Sequence, residues 1–399
     1  MNHINTKEIK RLIISHNLTI FGRTVFNIFF AVFVWTQTNS LQAIAIYSIA
    51  LIIGHGISFT SLAGVVNRGR PHIPRLLSLV GSSILYTILF VFKDHISSHL
   101  IITGLALGFF NGMYWLSYLF IQFTTTNKQN RGNYNGMIEA TRNFVNIIAP
   151  IAGGAAIGFN LFNFGYGNIF IIGTISYILS AIIGNVKIEK YNNTPLHYKK
   201  TIKAIWAQKD MVKLLASRFF GNLAFKGAFE RLLPIFIFDV LNSELELGTW
   251  FSVFSILAIV SVWLIGKKID YKHYKTLFTF GGSIFFLASM SVVGMPLFAT
   301  YIIYGFARQF FLPMTEIPAK TYRDNLLHTL PDYRNHRVEY IVIREWLYVI
   351  MSRIVSYSLL FFVPSLSSIH LQAVLGIMAC CILIQILFMR SIKTRLTHI

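Results

Sequence analysis

Twelve apolar runs occupy most of this 399-residue chain, at about 12–36, 41–65, 76–92, 99–124, 134–159, 167–186, 212–240, 247–266, 276–295, 298–321, 338–362 and 369–389. Each is long enough to cross a hydrocarbon core of roughly 30 Å. Lipid offers the backbone no hydrogen-bond partners, so runs of this length read as helices and the chain as an all-α integral membrane protein. Thirteen segments lie outside the runs, and seven of them hold 26 Lys and Arg residues. These seven are the N-terminus, the 68–75 turn, Lys128 with Arg131, the stretch from Lys187 to Lys213, the 267–275 turn, the segment from Lys320 to Arg337, and the tail from Arg390. The six intervening gaps hold one, Lys93. Positive flanks resist translocation, so this alternation predicts a multi-pass protein of the cell (inner) membrane with both termini in the cytoplasm.

With 54% hydrophobic and 13% charged residues, the composition excludes a soluble globular domain. A formal net charge of +20 raises the question of nucleic acid, but the basic residues sit in short juxtamembrane loops, with no basic domain or long tail. They match topology, and they attract anionic lipid headgroups. Cys380 and Cys381 are adjacent inside the last run, which suits neither a disulfide nor a metal site. No Gly-rich nucleotide loop is present, so neither ATP drive nor a cofactor is expected. The first run is too long for a signal-peptide core, which predicts a retained span.

The longest polar segment, 187–211, contains Pro195 and a short amphipathic piece around Tyr198–Trp206. It divides the chain into a six-helix N-terminal half (1–186), a cytoplasmic linker (187–211) and a six-helix C-terminal half (212–399). The halves read as copies. Phe21-Gly22-Arg23 matches Phe220-Gly221-Asn222, Thr103-x4-Gly108-Phe109 matches Thr300-x4-Gly305-Phe306, and Ala63-x3-Asn67-Arg68 matches Gly266-x3-Asp270-Tyr271, at offsets of 199, 197 and 203. Six spans per copy make the repeats parallel, an arrangement that places a substrate site between them near the membrane midplane.

This organisation resembles the major facilitator superfamily over the whole chain. The family's loop signature G-x-x-x-D-R-x-G-R is met by Ala63-x3-Asn67-Arg68-Gly69-Arg70 and, in the second half, by Gly266-x3-Asp270-x-Lys272. The resemblance implies a gating role for Asn67, Arg68, Asp270 and Lys272, although Asn67 stands where the family has a carboxylate. The exporters' motif G-x8-G-x3-G-P-x2-G-G is met at Gly136, Pro150, Gly153 and Gly154, with Val145 and Ala149 at the other two positions. It implies an antiporter-like fifth helix kinked at Pro150. The Arg that the exporters carry in the fourth helix has no counterpart near Gly104 or Gly108.

Topology leaves eight cations unexplained, Arg23, Arg142, Arg218, Lys226, Arg231, Arg308, Arg344 and Arg353, and four carboxylates, Glu139, Glu230, Glu316 and Glu345. A charge at the bilayer centre costs on the order of 3 kcal/mol, so these residues face a cavity or a partner. Arg218, Asn222, Lys226 and Glu230 recur every four residues and predict one polar stripe on the seventh helix. Glu139, Arg142 with Asn143, Asn146 and Pro150 form another on the fifth, and Arg23 and Asn27 a third on the first. Asn111 and Trp115, with Tyr114, add hydrogen bonding and stacking from the fourth. Lys226 and Glu230 are also spaced to neutralise one another, and Glu316, between Pro313 and Pro318, is expected at the inner mouth.

An excess of cations suits an anionic or phosphate-bearing substrate, with Arg23, Asn27, Asn111, Trp115, Arg142, Asn143, Asn146, Arg218, Asn222, Lys226 and Arg308 lining its path. Glu139 and Glu230 beside cations, and His55 between Gly54 and Gly56, are the candidates for proton coupling. The sequence therefore reads first as a monomeric, proton-coupled exporter of a small anionic or amphiphilic compound (a drug, toxin or peptide antibiotic) working by alternating access. Uptake of an organic anion by the same fold is the second reading. A polytopic lipid-modifying enzyme ranks below both, because no paired acids or His/Asp cluster marks a membrane face.

Overall fold

A computed structural model describes residues 6–125, 131–184, 195–268, 271–331 and 336–394. Every regular element among them is helical. We label the long helices α1 (Thr6–Thr38), α2 (Leu41–Ser61), α3 (His72–Val91), α4 (Leu100–Thr125), α5 (Arg131–Gly158), α6 (Gly167–Ile183), α7a (Lys209–Phe225), α7b (Ala228–Leu241), α8 (Glu244–Lys268), α9 (Tyr274–Gly294), α10 (Phe298–His328), α11 and α12 (Ile369–Arg390). Helix α11 runs through Arg337–Arg344, a π-helical stretch Glu345–Ile350, and Met351–Ser358. Among the described helices α1, α2, α3, α4, α8, α9, α11 and α12 are long and apolar enough to cross a membrane, and α6 is apolar but has 17 residues. The remaining helices are α5, α7 and α10. α5 and α10 carry several charged residues, and α7 is divided into pieces of 17 and 14 residues.

The helices form two compact units, one of Met1–Thr38, Ala50–Pro195 and Leu241–Val253, the other of Asn39–Ile49, Leu196–Val240 and Phe254–Ile399. In the first, α1 packs on α5 and α6, α6 on α3, and α3 on α4. In the second, α7a packs on α11 and α12, α12 on α9, and α9 on α10. The same four pairings thus recur, helix for helix. Two local devices recur with them. Asn39 and Asn242 take positive φ (46° and 49°) after α1 and α7b, the left-handed conformation that Asn tolerates at a helix end. Each is followed by a serine that caps the next helix, Ser40 Oγ accepting Ala43 N and Ser243 Oγ accepting Glu246 N, both at 3.2 Å.

The second device ties the third helix of each unit to the end of the sixth. Arg75 of α3 donates to Gly184 O (2.6 Å) and to Ser15 Oγ of α1 (2.6 Å). Lys275 of α9 donates to Ile392 O just beyond α12. Carbonyls at a helix C-terminus have no partner within the helix and carry partial negative charge, so a cation there satisfies both needs. Beside these ties run buried polar seams. Ser15 and Thr19 of α1 bond Ser180 of α6 at 2.7 and 2.8 Å, and Ser217 of α7a donates to Gln385 O of α12 at 2.9 Å. Asp210 accepts from Thr394 N (2.7 Å), Thr394 Oγ1 (2.7 Å) and Lys393 N (2.9 Å). Burial alone would raise its pKa, but these bonds and that from Lys213 outweigh it and hold the carboxyl below its usual range.

Helices approach closely where glycines stand. A Cβ on Gly108 or Gly112 of α4 would overlap backbone carbonyls of α2, those of Leu51 and His55. In the exporter-like stretch of α5, Gly153 faces Val25 and Phe29 of α1, while Gly154 faces Glu244 and Leu245 of α8. Ser252 of α8 donates to Ile147 O of α5 (2.5 Å). Pro150 lies inside α5, which continues through it.

Candidate functional site

The seventh span is not one helix. α7a ends at Phe225 and α7b begins at Ala228, with Lys226 and Gly227 between them. A break inside a membrane frees backbone groups that must find other partners. Ser356 of α11 accepts from Ala228 N (2.9 Å) and donates to Leu223 O (3.1 Å). Arg308 of α10 donates to Phe225 O (3.4 Å). A Cβ on Gly227 would collide with Ser356 Oγ, so glycine is required for this fit. Gly227→Ala is expected to lower stability by about 2 kcal/mol, the usual range for overpacking. Thermal unfolding in detergent measures it, and a variant as stable as the parent would mean that Ser356 moves aside without cost.

The break re-aims the charges of this span. Lys226 and Glu230 are not a neutralising pair one turn apart, because no continuous helix joins them. Instead Glu316 of α10 accepts from Arg218 (2.8 Å) and pairs with Lys226 (3.2 Å). Glu230 pairs with Arg308 (3.6 Å) and lies in the fields of Arg353, Arg231 and Lys226. Glu230 is 45% exposed, whereas the Arg308 side chain is 11% exposed. Nε of Arg308, of Arg344 and of Arg353 is a buried donor without a hydrogen-bond acceptor among the described residues. Around Glu230 and Glu316, then, Arg218, Lys226, Arg231, Arg308 and Arg353 outnumber the carboxylates five to two. Arg344 and Glu345 pair with each other at 3.3 Å.

Asn222 is buried, and its amide donates to Tyr348 O at 2.7 Å. Tyr348 lies in the π-helical stretch of α11. Its ring stands beneath two guanidinium groups, those of Arg218 (5.7 Å) and Arg344 (5.9 Å). Tyr348 thereby joins the α7a and α11 cations.

The other unit holds a second polar group. Arg23 of α1 lies over the Trp115 ring of α4 at 5.1 Å. Thr24 donates to Asn146 of α5 (3.4 Å). His55 of α2 is buried, bonds Asn111 (3.3 Å) and stacks on Phe59. His16 bonds Tyr114 (2.8 Å) and stacks on Tyr118, with ring centroids 3.9 Å apart. Asn27, Arg142 and Asn143 are half-buried. The side chain of Glu139 and the whole of Asp270 lie outside the described residues. Asn67 is buried, Arg68 and Lys272 exposed.

Residues 12–325 match the model of the Major Facilitator Superfamily. The chain belongs to this superfamily. It is accordingly a multi-pass membrane protein of a secondary-transporter family, not an enzyme family. The uncharacterized protein YqgE of Bacillus subtilis is 26% identical over 337 residues, covering 84% of this facilitator and 77% of YqgE. Two solved structures share the facilitator fold. A bacterial homologue of the iron transporter ferroportin, inward-facing, superposes with a TM-score of 0.69 at 13% identity over 98% of this chain and 100% of that one. A bacterial homolog of the human lysosomal transporter Spinster, inward-facing and unoccupied, gives 0.65 at 13% over 96% and 97%.

Three residues of this facilitator's charged network were given no role by sequence reasoning. Ser356 and Tyr348 carry no charge, and Arg353 had no visible partner. Glu316, between Pro313 and Pro318 of the unbroken α10, is presented to α7a. A signal was available in Lys226-Gly227: a glycine beside a charge inside an apolar run marks a site where backbone is freed. Among the described residues, no group of three or more His, Cys, Asp and Glu side chains is placed to hold a metal ion.

Proposed function

We propose that this chain is a proton-coupled secondary transporter of a small organic or phosphate-bearing anion, working by alternating access in the cell membrane with both termini in the cytoplasm. The carrying observation is the surplus of cations about a partly exposed carboxylate, Glu230, among them Arg308 and Arg353, whose Nε donors have no acceptor among the described residues. Guanidinium forks recognise carboxylate and phosphate oxygens in pairs, so such a cluster holds an anion far better than a cation. Arg23, Arg142 and Trp115 are further contacts in this reading. Glu139 and His55 are further coupling candidates.

The shared cations also bear on direction. An ionised Glu230 occupies the charge that an incoming anion needs. A proton on Glu230 removes that competitor, so proton and anion bind cooperatively, and the linkage is reciprocal. Cooperative binding carries both ligands the same way, which favours uptake over the export drawn from the α5 motif. The test is flux in proteoliposomes across a panel of organic anions and phosphate esters under an imposed pH gradient. An inward acid gradient is expected to accelerate anion uptake, and Glu230→Gln to abolish that acceleration while leaving counterflow between anion pools. Gradient-driven anion efflux against proton entry would restore the exporter reading. Undiminished gradient drive in Glu230→Gln would remove Glu230 from the coupling.

A further inference from the structure

The segment ahead of α7a carries a surface that the transport chemistry leaves unused. Residues Tyr198–Ala207 form a ten-residue helix, YKKTIKAIWA, with no acidic side chain. Thr201 and Ile205 are buried where this helix packs on α11 and α7a. Its start is fastened: Glu339 of α11, 1% exposed, accepts both His197 N and His336 Nδ1 at 2.9 Å. Burial, with the Glu339 carboxylate nearby, pushes the Tyr198 phenol up to about 12. The helix is therefore held in one orientation. Its outer face presents Lys199, Ile202, Lys203 and Trp206, with Ile202 40% and Trp206 59% exposed. Residues spaced three and four apart share one helical face, so two cations and two apolar side chains point the same way.

An indole exposed to that degree, flanked by lysines, is an unfavourable surface in water and a good one at a bilayer interface. Amphipathic helices with lysine and tryptophan on one side bind in the headgroup plane, the apolar groups entering and the cations meeting anionic lipid. Position agrees with chemistry, because Trp206 stands three residues ahead of Lys209, where α7a begins. Tryptophan concentrates at this depth in membrane proteins. We propose that the outer face of the Tyr198–Ala207 helix seats on the anionic headgroups of the bilayer, with Trp206 and Ile202 inserted and Lys199 and Lys203 in contact with phosphate. Its fastening to Glu339 then makes α11, which bears Arg344, Tyr348 and Arg353, the helix that responds to the lipid charge.

The test uses the full chain in nanodiscs of phosphatidylcholine alone or of equal parts phosphatidylcholine and phosphatidylglycerol. The Trp206 signal is isolated as the emission of the parent minus that of Trp206→Phe. Lipids brominated on their acyl chains are expected to quench it, and more strongly when phosphatidylglycerol is present. Lys199→Gln with Lys203→Gln is expected to remove the gain due to phosphatidylglycerol, each lysine contributing roughly fivefold to the seating equilibrium. Equal quenching in both lipid mixtures would overturn the proposal, as would a gain that survives the double lysine substitution. Shielding of Trp206 from aqueous acrylamide without quenching by brominated lipid would assign the face to a protein contact instead.

Discussion

Glu316→Gln is expected to disable transport and to lower stability by about 2 kcal/mol. Breaking one member out of a buried ion pair costs roughly 3–5 kcal/mol, because the partner is left charged and dry. Here the carboxylate is 30% exposed and water screens part of that penalty, which brings the figure down. Two cations lose their partner at once, Arg218 and Lys226, and an amide cannot hold both. Lys226→Met added to Glu316→Gln removes one uncompensated charge and is expected to recover most of the stability but none of the transport. Thermal unfolding in detergent and gradient-driven flux separate the two effects. A stable, fully active Glu316→Gln protein would show that the network can dispense with its central carboxylate.

The second large effect is expected at Arg308 and Arg353. Each charge-assisted hydrogen bond removed from a bound anion costs about 1.5–3 kcal/mol, so Arg308→Gln or Arg353→Gln should weaken anion binding about tenfold to a hundredfold. Lysine keeps the charge but not the fork, and Arg308→Lys should recover part of the affinity and none of the preference for phosphate or carboxylate geometry. Arg308 also holds the carbonyl of Phe225 at the helix break, so its glutamine variant should lose stability as well. Arg353 holds no backbone carbonyl among the described residues, which makes it the cleaner probe. Anion-dependent protection against thermal unfolding reads the affinity without requiring flux. Equal protection in the parent and in Arg353→Gln would place the anion elsewhere.

The fold was legible because lipid is a severe solvent. Length and apolarity alone mark α2, α4, α8 or α12, and the Lys/Arg alternation orders them. The three spans left out on length or hydropathy, α5, α7 and α10, still stood out by their position between loops. Charge pairing was less legible. Sequence spacing assumes a continuous helix, and α7 is discontinuous; a stripe drawn every four residues from Arg218 to Glu230 therefore linked Lys226 to the wrong carboxylate. Glu316 could not be assigned from its own helix, because its partners lie on α7a and in the break after it, ninety or more residues away in sequence. The paired Asn-Ser turns at Asn39-Ser40 and Asn242-Ser243 were visible in the sequence, at the same offset of 203 as the loop signature, but such dipeptides draw notice only once their backbone angles are known.

The polar seam between α1 and α6 has a consequence for how the protein is made. Ser15 meets Ser180 across 165 residues of chain. At synthesis rates of about 5–20 residues per second, the first helix spends on the order of ten seconds or more in or near the membrane before its partner exists. During that interval its hydroxyls have only their own helix to bond, as Thr19 Oγ1 does with Ser15 O (3.0 Å), and the guanidinium of Arg75 lacks the Gly184 carbonyl it finally holds.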